Sequence, residues 1–413
     1  MKLFTSKCSF LIILLAPALS RAVTYYVATT GNDANTCAQA QFSARPKKTL
    51  KAGVACLHGG DTLVVKAGTY LKQEITNPPP GTSSKYTTIM ADPTGARPLL
   101  MPDGKAGQRG FYCSNGAACH HIEFRGFKVT GAYNSAKFYG DAKIGWTHHL
   151  RIINNIFDNT VHTNMLIASS ATGFIGGDHL IQGNEFFNTG VGNPGYAPGH
   201  NTIYNTGNRT VVEKNKFHNL ANGIGIWASK VQVRGVVVRG NIFYDIGRSS
   251  IDKWQKGNGS FSAIHVSVPG GGHRIYNNII YRSGDEISFA AIKVQNYSGL
   301  SGLSTDVNYI YNNTIYDIKN PNAPAVNISS TILGKNYVKN NISYLGGKGF
   351  IGGVQARNLR TNPLFTDPAR ANFTLKTGSP AIDTGEANTI ATVDILGVAR
   401  PRGKGFDIGA YER

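Results

Sequence analysis

A chain of 413 residues with 49 glycines, 41% hydrophobic residues and only 16% charged ones is long enough for one large domain or two ordinary ones. Such a turn-forming composition argues against an all-helical protein. Lys and Arg outnumber Asp and Glu by 42 to 23, a formal charge of +19, which suits nucleic acid, anionic lipid or acidic polysaccharide as a partner and does not suit a cationic one; added solubility is the other reading of that charge.

Lys2 and Lys7 precede the apolar run FLIILLA (10–16), and SRA (20–22) ends in small residues. This layout predicts a signal peptide over residues 1–22, cleaved near Ala22 and too short to span a membrane. Cleavage removes Lys2, Lys7 and Arg21 and leaves +16. No later segment is long and apolar enough to cross a bilayer, so the expected product is soluble and exported: secreted, periplasmic or held at the cell surface. Cys8 leaves with the signal. The remaining cysteines form two close pairs, and in an oxidising compartment Cys37–Cys56 and Cys113–Cys119 are the expected disulfides, although four cysteines permit three connectivities. No Cys-x-x-Cys and no His/Cys cluster has zinc spacing. Residues 46–57 (PKKTLKAGVACL) place Leu50, Val54 and Leu57 at helical spacing after a proline suited to a first turn, which predicts a capping helix. Residues 23–110 are accordingly read as an N-terminal cap with the first coils.

From 120 to 345 one pattern returns: a short strand, an Asn or Gly, then residues bearing Phe or Ile. Examples are HHLRIINNIFDN, DHLIQGNEFFNT, VVVRGNIFYDI and NYIYNNTIYDI. Gly126, Asn155, Asn184, Asn215, Asn241, Asn278, Asn313 and Asn341 mark the repeat at intervals of 26 to 37 residues. A period of this size without helical spacing indicates a solenoid of strands, in which like residues stack one rung apart and an asparagine column forms an amide ladder. The leucine grid of leucine-rich repeats is missing, and a propeller is the remaining alternative. The expected fold is all-β: a single-domain right-handed parallel β-helix, with coils over 111–360 and an irregular, Pro/Gly-punctuated C-terminal cap over 361–413.

The opening YYVATTGNDANTCAQAQFSARPKKTLKAGVACLHGGDTLVVKAGTY (25–70) resembles the N-terminal cap of secreted β-helix polysaccharide lyases. The ending FTLKTGSPAIDTGEA…DILGVARPRGKGFDIGAYER (373–413) resembles the tail common on such bacterial proteins. With the coils, the resemblance covers nearly the whole mature chain, and it implies the superfamily rather than one activity.

Six segments between the repeats align by apolar alternation: TNMLIAS (163–169), NTIYNT (201–206), NGIGIWAS (222–229), SAIHVSV (262–268), AAIKVQN (290–296) and PAVNIS (324–329). Alternate residues on a strand face opposite sides, so Ile264, Val266, Ile292, Val294, Val326 and Ile328 are expected inside. His265, Lys293 and Asn327 are expected outside, one above another. Gly225 flanked by Trp227, and then Tyr204, extend this column. Long insertions at 188–200 and 245–261 precede two of the strands and carry Arg248, Lys253 and Lys256; Arg282 adds another cation nearby.

Glycoside hydrolysis normally needs two carboxylates, and this face supplies none; Asp285 and Glu286, adjacent in sequence, diverge if extended. β-Elimination of a uronate polymer instead needs a base, groups that neutralise the sugar carboxylate, and an acid for the leaving oxygen. Lys293 is the candidate base, with His265 beside it and Tyr204 or Tyr297 as acid. Asn327, Arg282, Arg248 and Trp227 are candidate substrate-binding residues. AIHVSVPGGGHRIYNNIIY (263–281) and AAIKVQNYSG…VNYIYNNTIYD (290–317) resemble late coils of the alginate-lyase/chondroitinase-B family, whose Asn-Gly-x-Glu and Lys…Arg-His-Gly motifs have no match here; Lys253 in SSIDKW is the candidate for the missing lysine. AAIKVQN also resembles the lysine-bearing strand of β-helix pectate lyases that use Lys with Ca²⁺, without their aspartate cluster. The expectation is therefore an exported, monomeric lyase acting on an acidic, uronate-containing polysaccharide, with no obligatory metal at the column and Ca²⁺ as the alternative. A β-helix glycoside hydrolase, a uronate epimerase and a non-catalytic anionic-glycan-binding solenoid are the competing functions. Nucleic acid is not expected as a partner, because no recognised motif accompanies the charge.

Overall fold

A computed structural model describes residues 21–413 other than 114–118, 141–145, 170–175, 190–200, 228–232, 248–261, 268–269, 284–289, 296–306 and 330–334. The expected signal segment thus lies outside the described residues except for Arg21 and Ala22. Among the described residues, nearly all regular structure is strand, arranged in three parallel sheets of twelve, ten and ten strands. Sheet A runs from Thr24–Val27 to Val354–Ala356, sheet B from Thr69–Leu71 to Ile342–Gly346, and sheet C from Ile75–Thr76 to Phe350–Ile351. The chain visits A, B and C in turn, and each strand pairs with its counterpart one coil on. This is the right-handed parallel β-helix.

Alternation creates the interior. Ile264, Val266, Ile292, Val294, Val326 and Ile328 all join one core that runs the length of the coils. Within it Phe157, Phe186, Phe217 and Phe243 stack face to face at 5.1, 4.9 and 4.6 Å. Burial of such rings supplies the main driving force, at about 25 cal/mol per Å² of apolar surface.

The corner between sheets A and B carries the asparagine ladder. Asn184 is typical: its amide donates to the Ile152 carbonyl (2.8 Å) and to Asn215 Oδ1 (3.0 Å), while its own Oδ1 accepts the backbone and side-chain N–H groups of Asn155. The buried amide is fully used, which is why it costs nothing to bury. The ladder continues through Asn241, Asn278, Asn313 and Asn341, and one rung further to Asn358, which the repeat did not reveal. Its first marker is corrected by one residue. Phe127, not Gly126, stands opposite Asn155, and it donates its backbone N–H to the Asn155 side chain. Gly126 instead matches Asn154; both have positive φ, 86° and 53°, as have Gly183, Lys214, Gly240, Asn277, Asn312, Asn340 and Arg357 ahead of the later rungs. Asn and Gly tolerate this left-handed bend best.

The N-terminal helix is shorter than its sequence pattern: it spans Leu50–Val54, with Thr49 as N-cap accepting from Ala52 N–H. Pro46 is outside it, because Lys47 pairs with the first strand through Tyr26 and Ala28 and the Asp33 carboxylate ties down Lys48 and Thr49. Gly53 is obligatory at the contact, since a Cβ there would run into Val27 and Leu63. Both expected disulfides, Cys37–Cys56 and Cys113–Cys119, are formed.

Residues beyond 361 pack along the flank of the late coils. The hairpin of Phe365–Asp367 and Asn372–Leu375 joins Ile279, Tyr281 and Ile342 in a second apolar cluster on the outside of sheet B. Ala391 packs against Tyr276 and Tyr311 of sheet A. Hydrogen bonds from Asn312 to Asp407 and Gly409 carbonyls, from Ala410 N–H to Thr314, and from Glu386 N–H to Asn340 pin the tail, and a fully buried Arg400–Glu412 ion pair closes it on itself. These contacts occupy sheets A and B, away from the face of sheet C.

A candidate catalytic column on sheet C

Strands Asn201–Asn205, Asn222–Trp227, Ile264–Ser267, Ile292–Gln295 and Val326–Ile328 are consecutive in sheet C. Their register sets Tyr204 against Gly225, Gly225 against His265, His265 against Lys293, and Lys293 against Asn327. Ile292 and Val294 point into the core, so Lys293 leaves the outer face. It is nonetheless only 8% exposed, and His265 only 5%; neither is an ordinary solvated surface side chain.

That burial controls the charge. Burial lowers the Lys293 ammonium below the ordinary lysine value of 10.5, because a charged group loses hydration there. His265 is pushed down to about 4, first by burial and then by the Lys293 charge beside it. At neutral pH the column therefore pairs a neutral imidazole with a lysine that gives up its proton more readily than a free one. Asn327 is half-buried on the next rung and offers an uncharged amide.

Other expected residues are placed differently. Rungs are about 4.8 Å apart, so Tyr204, three rungs from Lys293, is roughly 14 Å away and does not share a bond-sized site with it. Arg282 does not face the column. Its φ of +49° turns it at the B–C corner, where it meets the Asp245 carboxylate (3.1 Å) and lies over the Tyr244 and Tyr281 rings on the sheet B side. Trp227 has the backbone position opposite Ser267; its side chain lies outside the described residues, as do Arg248, Lys253, Lys256, Asp285, Glu286 and Tyr297.

Three residues missed by the sequence reading extend the column. Tyr112, Lys137 and Leu166 precede Tyr204 in the same register, and Arg109 lies over the Tyr112 ring at 4.4 Å. Burial and the nearby Arg109 lower the Lys137 pKa. Gly225 has a local reason: the Asn201 side chain occupies the space its Cβ would need. Extending the six-segment alignment to AKFYG (136–140) would have found Lys137; nothing local signalled Arg109.

Calcium needs several oxygen ligands. Among the described residues no carboxylate stands on the column, and Asp245, on sheet B, is engaged by Arg282. The described residues of the column do not offer the oxygen ligands of a Ca²⁺ site.

No protein-family model matches the chain, and no curated protein matches its sequence. Solved structures do resemble it. Pectate lyase Pel9A superposes with a TM-score of 0.58 at 18% identity, covering 96% of this chain and 98% of that one. XylC in its complex with xylose gives a TM-score of 0.54 at 10% identity, covering 94% and 99%. At such identities the likeness establishes architecture alone, and with the three parallel sheets it identifies the chain as a right-handed parallel β-helix.

Proposed function

We propose that the chain is an exported lyase that cleaves an acidic, uronate-containing polysaccharide by β-elimination on the outer face of sheet C. The observation that carries this reading is Lys293: an outward lysine, almost fully buried, with its pKa lowered and a neutral imidazole on the adjacent rung. A general base works best when its pKa approaches working pH, and burial is how lysine gets there. The resemblance in fold to a pectate lyase agrees with this chemistry but does not specify it.

In the proposed step the neutral Lys293 amine removes the C5 proton of a uronate. The C5–H electrons form the C4=C5 double bond, and the C4–O bond breaks with its pair on oxygen. Asn327 and His265 donate hydrogen bonds to the sugar carboxylate as charge develops on it. Where C5–H and the C4 oxygen lie on one face of the uronate, the ammonium formed at Lys293 can return the proton to the leaving oxygen, a role that Tyr204, three rungs away, is too distant to fill. Lys137 and Arg109, toward the N-terminal end of the same column, supply positive charge for more distant uronates of the chain.

Incubating the protein with alginate, polygalacturonate, glucuronan and glycosaminoglycans tests this, with ultraviolet absorbance reporting unsaturated uronate ends. Absorbance is expected to rise on at least one polymer. Reducing ends without absorbance would make the protein a hydrolase, and binding without either signal would make it a glycan-binding solenoid.

A further inference from the structure

Two His-His dipeptides, at 120–121 and 148–149, fall on neighbouring coils where sheet C turns into sheet A. In an extended strand, adjacent side chains leave opposite faces. Here the second histidine of each pair has a positive φ, 53° at His121 and 52° at His149, and the two imidazoles of each pair meet. The Nδ1 atoms are 3.0 Å apart in the first pair and 2.8 Å in the second. One coil's pair stacks on the other's: His120 on His148 at 4.7 Å, and His121 on His149 at 4.6 Å. Four imidazoles thus form one cluster, with His121 buried and the other three half-buried.

Each Nδ1···Nδ1 contact has room for a single proton, so one ring in each pair presents a lone pair to the other. Further protonation would place like charges about 5 Å apart. The neighbouring carboxylates are already committed: Asp178, one coil beyond His149, is gripped by Arg209 at 2.7 and 2.6 Å, and Glu123 is paired with Arg125 and Arg151. What remains is a set of imidazole nitrogens. Ligand atoms of His121, His148 and His149 all lie within 4.8 Å of one another, while a tetrahedral zinc ion with bonds of about 2.0–2.1 Å needs nitrogens about 3.3 Å apart. Binding would draw the rings together by that difference.

We propose that His121, His148 and His149, with His120 positioning them, bind a borderline transition-metal cation of the Zn²⁺ or Cu²⁺ type. Imidazole donors favour such ions, whereas Ca²⁺ and Mg²⁺ take shells of oxygen ligands. The site spans the two coils on either side of the strand that carries Lys137, which is five rungs from Lys293 along sheet C, and it is independent of the proposed elimination.

The test is calorimetric titration of Zn²⁺ into untagged, chelator-stripped protein at pH 7.5. One equivalent is expected to bind, with His121→Asn and His149→Asn each weakening it at least about tenfold, the loss of one ligand bond. Asparagine keeps the left-handed backbone accessible, so the metal-free melting temperature checks the fold of each variant. His218→Asn, on the outer face of sheet B, should bind as the parent does. Absence of one-to-one binding, or binding unchanged in the double Asn variant, overturns the proposal. Should the variants fail to fold, X-ray absorption of the zinc-loaded parent decides: a shell of imidazole nitrogens supports the site, and an oxygen-dominated shell refutes it.

Discussion

The A–B corner and the outer face of sheet C both bury polar side chains in a column one rung apart, yet the two columns differ in kind. At the corner the rungs from Asn155 to Asn358 are all asparagine, and each amide is bonded to its neighbours and to the backbone. On sheet C the rungs are unlike one another: Tyr204, Gly225, His265, Lys293, Asn327. A repeating column solves the same hydrogen-bonding problem at each coil and stabilises the stack. A column of unlike ionisable groups, buried enough to shift their pKa values, does nothing for the repeat and is where chemistry is to be sought.

That contrast can be broken most sharply at Lys293. Lys293→Ala should lower turnover on the responsive polymer by about 10²–10⁴-fold, the usual worth of a general base, with the melting temperature unchanged; an active variant would remove Lys293 from the role. In the parent, the rate should climb with pH through an apparent pKa below 10.5, as burial requires. Acid should act on stability instead. His179, His265 and His273 are held at about 3, about 4 and about 4, chiefly by burial. Above pH 6.5 their rings are neutral in both folded and unfolded chains, and no effect arises. As pH falls from 6.5 toward 4, the unfolded chain binds protons that the native rings refuse. Stability should drop by on the order of 3 kcal/mol per ring, measured by urea titration across that window.

The ladder should show the opposite signature to Lys293. Asn215→Ala strands the backbone N–H of Asn184 and the Ile181 carbonyl and should cost on the order of 3 kcal/mol, while the folded fraction keeps full activity; the paired measurement is denaturant unfolding and specific activity. Gly225→Ala displaces Asn201 beside the column and should cost about 1–3 kcal/mol as overpacking. Smallest of all, Tyr204→Phe should raise KM about two- to tenfold, one hydrogen bond's worth, and leave kcat alone. A collapse of kcat would return Tyr204 to the reacting centre.

Much of this was legible because a solenoid turns sequence period into spatial neighbourhood. Asn155 through Asn341 were found by counting, and Lys293, His265 and Asn327 by alternation, since inward and outward are decided two residues at a time. The errors occur where the backbone leaves that rhythm. Gly126 was mistaken for Phe127 because the left-handed residue before each ladder position is itself usually Asn or Gly. Arg282 is expected as a cation beside the column, but its positive φ swings it toward Tyr244. The histidine pairs are 28 residues apart, one coil, and so were within reach of the same ruler; their convergence depends on the left-handed turns at His121 and His149, which sequence spacing does not disclose.

Sequence by itself therefore determined the coil, its strand register and which residues leave the outer face, because those follow from periodicity and local alternation. Tertiary structure alone decided that Lys293 and His265 are buried although they point outward, that Arg282 faces sheet B, and that four imidazoles meet. Burial and convergence depend on what other coils place nearby, and it is the loss of hydration there, not the residue types, that sets their charge.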